Sequence, residues 1–99
     1  MSNNEVQAYK ETLMDALTEA LPVLRASIGI SQDEIAKYIG VSRQTYCAME
    51  QKKRMMSWNT FLSLVLFFYA NDNSRKVMES RRKFIDNVNS FLQYPRSEL

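Results

Sequence analysis

Apolar residues recur at intervals of three and four from the start of the chain. Val6, Tyr9, Leu13, Leu17, Ala20, Leu21, Leu24 and Ile28 fall on one face of a helix. Pro22 interrupts that stripe. Lacking an amide hydrogen, it cannot donate to position i−4, so the pattern predicts a helix over residues 4–20 and a new one opened by Pro22, with a kinked single helix as the alternative. No stretch alternates apolar and polar positions, so strands are not expected. The predicted fold class is all-α, a compact bundle of about five to six helices.

Local signals then divide the rest of the chain. Gly29 suits a left-handed helix terminus, and Ser31 with Glu34 forms a capping box that opens a helix over residues 32–39. Gly40 closes it, Val41 plugs the core from the turn, and Ser42 caps a helix over 43–51 through an amide near Gln44 or Thr45. After the basic turn Lys52, Lys53, Arg54, Ser57 caps a fourth helix whose apolar run through Tyr69 predicts burial on most sides. Asn71, Asp72 and Asn73 end it. Ser74 is the predicted cap of one last helix, with Val77, Met78, Phe84, Ile85, Val88, Phe91 and Leu92 on a stripe and Pro95 as its stop. One domain over 1–99 is expected, made of an N-terminal helical extension (1–21), a core (22–70) and a C-terminal helix (71–99) that is the candidate dimerisation element.

Composition narrows the classes of function. At 99 residues and 45% hydrophobic, the chain suits a single domain whose stability is modest and partly borrowed from a partner subunit. Net charge is only +2, but its placement is uneven: three basic and six acidic residues precede Arg43, whereas residues 43–54 hold four basic and one acidic. The single cysteine, Cys47, allows no internal disulfide, and a cytoplasmic location is expected. The opening MSNNEVQAYKE lacks the apolar centre of a signal peptide, and the run over 61–70 is about half the ~20 residues that span a bilayer. No membrane association is expected. With no histidine and no glycine-rich phosphate loop, the chain carries no signature of an enzyme, a metal site or a cofactor site. The aromatic residues of the fourth helix and the six methionines are assigned to packing.

The chemistry lies in the two short helices joined by residues 40–42, a helix-turn-helix pattern. At the positive end of the second helix stand Arg43 and Gln44, side chains able to make paired hydrogen bonds to guanine and adenine edges respectively. A helical wheel turns Tyr46, Met49 and Glu50 toward the core and Arg43, Gln44, Cys47, Ala48 and Gln51 toward a groove, where Ala48 suits a thymine methyl.

These residues resemble the Cro and phage-repressor (Xre-like) helix-turn-helix family, through LRASIGISQDEIAKYIGVSRQTYCAMEQKKRMMSWNTFLSL, residues 24–64. Members show an arginine in the first helix, a G-[IL]-S-Q-x-E-[IL]-A stretch, I-G-V-S-R-Q-T, a glutamate closing the reading helix, and a basic turn before a Ser-capped helix. The resemblance implies that Arg43 and Gln44 read base edges and that Gln32 touches phosphate and braces Gln44. Thr45 would bind phosphate or brace the helix, Ser42, Cys47 and Gln51 would support it, and Lys52, Lys53 and Arg54 would contact phosphate. It further implies a partly buried ion pair between Arg25 and Glu50. Lys52 stands where the family usually has a left-handed glycine, and Met56 where proline is common, so a differently shaped turn is expected. The function implied is a sequence-specific regulator of transcription, a repressor, that binds a palindrome in double-stranded DNA as a homodimer with no cofactor. The rival is an antitoxin or adaptor whose protein partner binds the C-terminal stripe over 77–92.

Overall fold

The structure, a computed structural model, describes residues 3–93. Six helices follow in order: α1 (Asn3–Ile28), α2 (Gln32–Ile39), α3 (Arg43–Glu50), α4 (Trp58–Ala70), α5 (Asp72–Ser80) and α6 (Arg82–Leu92). No strand occurs among the described residues, so the chain is the all-α bundle that its periodicity predicts. Among them, no helix is long and apolar enough to cross a membrane.

The spine is α1, and α3, α4, α5 and α6 all pack on it. Its buried stripe of Leu13, Met14, Leu17, Ala20, Leu21 and Leu24 is continuous. Pro22 therefore does not break the helix, contrary to the expectation; it lies inside α1 on the exposed side. An interior proline costs about 3 kcal/mol. Burying a leucine contributes ~1.5–3 kcal/mol, and Leu13, Leu17, Leu21 and Leu24 straddle the proline, so packing outweighs the missing bond.

Two expectations for the C-terminal half also give way. The predicted single helix after residue 73 is two, broken at Arg81 (φ −88°, ψ 85°). There the Ser80 hydroxyl donates to the Val77 carbonyl at 2.7 Å and the Arg81 amide to Met78, so the last turn of α5 closes on itself. The break lets α5 bury Ser74 and Met78 while α6 buries Phe84. Ser74 is accordingly not a cap. Asn71 is, with its Oδ1 accepting from the Asn73 amide at 3.0 Å, while the buried Ser74 hydroxyl donates to the Phe68 carbonyl. Pro95, the predicted stop, lies outside the described residues.

Nor is α4 buried on most sides. Phe61, Leu64 and Phe68 enter the core, but Leu62, Leu66 and Tyr69 are exposed. The described chain measures 43 × 26 × 18 Å with a radius of gyration of 13.9 Å. A compact chain of this length would have about 12 Å. The bundle is thin, and among the described residues nothing packs over one flank of α4.

Candidate nucleic-acid interface

Caps set both short helices. The Ser31 hydroxyl accepts from the Glu34 amide (3.1 Å), and the Glu34 carboxylate accepts from the Ser31 amide (3.2 Å), the reciprocal capping box. Gly40, at φ 77°, ends α2, and the Val41 amide reaches back to the Ala36 carbonyl at 3.0 Å. Ser42 caps α3 by accepting from the Thr45 amide (3.0 Å), and its hydroxyl donates to the Thr45 hydroxyl (2.9 Å). Ser42 and Thr45 are thus joined side chain to side chain at the start of α3.

Ile35 and Ala36 of α2 and Tyr46 and Met49 of α3 are buried, which fixes the two helices to the core by one face each. The opposite face of α3 presents Arg43, Gln44 and Gln51 exposed, with Thr45, Cys47 and Ala48 half-buried between them. Arg43 and Gln44 have no hydrogen bond or ion pair with other described residues. Their donors and acceptors are left to whatever approaches α3.

Behind that face runs a polar chain linking three helices. Arg25 donates to one oxygen of Glu50 through Nε (3.2 Å) and Nη2 (2.9 Å), and through Nη1 to the Ile30 carbonyl (3.3 Å). The other Glu50 oxygen accepts from Gln32 Nε2 at 2.9 Å. Gln32 Oε1 in turn accepts from the Cys47 thiol at 3.2 Å. The Arg25 and Glu50 side chains are only 20% and 5% exposed. Burial pulls the Arg25 pKa down, but the hydrogen bond and charge of Glu50 outweigh it and hold it above the ordinary value. The Tyr46 hydroxyl is buried without a partner at hydrogen-bonding geometry among the described residues, yet lies within reach of both charges. Burial, seconded by the Glu50 charge, pushes its pKa up.

The glutamine brace is therefore placed differently from the implied arrangement. Gln32 holds Glu50 and Cys47 rather than Gln44. The sequence pairs Arg25 with Glu50 through the family resemblance, but no local signal ties Gln32 to either partner, which stand 18 and 15 residues away.

The basic turn keeps the left-handed conformation despite its lysine. Lys52 sits at φ 60°, its amide donating to Met49 and that of Lys53 to Ala48, the paired bonds of a Schellman terminus. Its ammonium reaches Glu19 at 3.1 Å and Asp15 at 3.8 Å on α1. Those carboxylates raise the Lys52 pKa, and Lys52 lowers that of Glu19. Lys53 and Arg54 are exposed and unpaired among the described residues. Met56, in place of the usual proline, is buried in the core.

Among the described residues no cluster of His, Cys, Asp and Glu has the makings of a metal site. No family model, curated protein or solved structure matches the chain.

Proposed function

We propose that this chain is a sequence-specific, double-stranded DNA-binding protein of the Xre-like kind, a cytoplasmic transcriptional repressor that occupies a palindrome as two copies. Each copy places α3 in the major groove, Arg43 and Gln44 reading base edges and Ala48 meeting a thymine methyl. Thr45, Ser42, Lys53 and Arg54 hold the phosphate backbone, while Gln32, Cys47, Arg25 and Glu50 keep α3 at a fixed angle. The observation that carries the reading is the pair Arg43 and Gln44, exposed and unpartnered at the N-terminal end of a capped helix whose other face is locked into the core. The sequence resemblance over residues 24–64 points the same way.

Selection from random duplexes tests it. Wild type should enrich a palindrome whose half-sites lie about 10 base pairs apart. Arg43→Ala should lose preference at a guanine, about 1–3 kcal/mol of discrimination, while still binding DNA. No enrichment by wild type, or unaltered base preference in the variant, overturns the assignment.

A further inference from the structure

One side of α4 is apolar, projecting and uncovered by any other described residue. Leu62, Leu66 and Tyr69 share that flank at helical spacing, and Leu92 of α6 rims the same groove, Leu66 and Leu92 being 72% and 70% exposed. Between α4 and α6 the groove encloses about 560 Å³ over half-buried Val65, Ile85 and Val88. The exposed parts of Leu62, Leu66, Tyr69 and Leu92 amount to roughly 400 Å², the scale at which an apolar patch marks an interaction site. That is about half of the ~800 Å² that each partner contributes to a standard interface.

Charge and shape say what covers it. None of the 13 residues of α4 is charged, and among the described residues no charged side chain lines the groove. A basic or acidic partner would find nothing to pair with, and depletion of charge is what the centre of a protein interface shows. A small ligand would meet few polar groups to orient it, since the Tyr69 hydroxyl is turned to Glu79 at 3.3 Å. The occupant must itself be an uncharged apolar surface. This chain carries one, with projections (Leu66, Leu92) and a recess on a single patch, which is the self-complementarity that a two-fold interface requires.

We infer that two copies of this chain pair about a two-fold axis across the α4 and α6 groove, Leu66 and Leu92 of each seated in the recess of the other. The pairing is confined to α6 and the open flank of α4; Met78 on the predicted C-terminal stripe belongs to the core of its own copy. The inference rests on the two-copy part of the proposed function.

Sedimentation velocity on the full chain, without DNA, tests it apart from DNA binding. Wild type should sediment as a dimer at micromolar concentration. Leu66→Glu and Leu92→Glu, both at exposed positions, should keep wild-type helicity and raise the dimer dissociation constant at least ~100-fold, an anchor being lost twice per dimer. A monomeric wild type, or dimers undiminished in both variants, overturns the pairing; if Leu66→Glu loses helicity, Leu92→Glu decides. A dimer that dissociates in the variants but enriches no duplex leaves the pairing standing and removes the DNA reading.

Discussion

Replacing Glu50 by alanine removes the centre of the polar chain behind α3. Two hydrogen bonds from Arg25 and one from Gln32 end on its carboxylate, and all three donors lose their acceptor together. A hydrogen bond to a charged group contributes about 1.5–3 kcal/mol, and truncating one member of a fully buried pair costs about 3–5 kcal/mol. Arg25 retains 20% exposure, so water recovers part of its solvation and the expected loss is about 2–4 kcal/mol. For a chain of this size that corresponds to a fall in Tm of roughly 10–20 °C. Urea titration followed by far-UV circular dichroism should show a lower midpoint with an unchanged slope. The double variant Arg25→Ala, Glu50→Ala should lose less than the sum of the two single variants, because the stranded guanidinium is gone. A Glu50→Ala midpoint indistinguishable from wild type, or strict additivity in the double variant, would refute the view that this pair fixes α3.

Other outcomes follow from the same geometry. Because the Tyr46 pKa is raised above its ordinary 10.0, its stabilisation is complete below pH 10 and lost as pH rises beyond it, where the unfolded chain releases the proton first. Tyr46→Phe should therefore resist alkaline unfolding better than wild type and, lacking an unpartnered buried hydroxyl, gain ~1 kcal/mol at neutral pH; urea midpoints at pH 7 and above 10 check both. Lys53→Ala should reduce the salt dependence of DNA binding by about one counterion, and Lys52→Ala by less, since Lys52 is already engaged by Glu19 and Asp15; equal slopes from titrations at several salt concentrations would contradict this. Lys52→Gly, which relieves a left-handed side-chain-bearing residue, should raise Tm by about 2–5 °C in scanning calorimetry.

What was legible in the sequence was local. Ser31 with Glu34, Ser42 and Ser57 cap the helices they announce, since a cap needs only residues two or three positions away. Pro22 misleads for the same reason: the local rule is sound, but leucines on both sides of it are buried by helices far along the chain. The break at Arg81 has no glycine or proline to mark it, only a serine bonded to its own helix. The apolar count of α4 gives no hint of which flank remains open, because that depends on where α5 and α6 come to rest. Within the site, the wheel places Tyr46 and Met49 inside and Arg43 and Gln44 outside, while the link from Gln32 to Cys47 and Glu50 exists only once α2 and α3 meet.

The length of α1 has a consequence for how the chain is made. Leu13, Met14 and Leu17 leave the ribosome early, yet the helices that shelter them, α4 to α6, are not complete until residue 92. At a synthesis rate of ~5–20 residues per second, this apolar face is without its cover for several seconds. Truncating the chain after α4 would leave it so permanently, and a fragment holding only the two short helices and their turn would lack α1, the beam on which α3 rests.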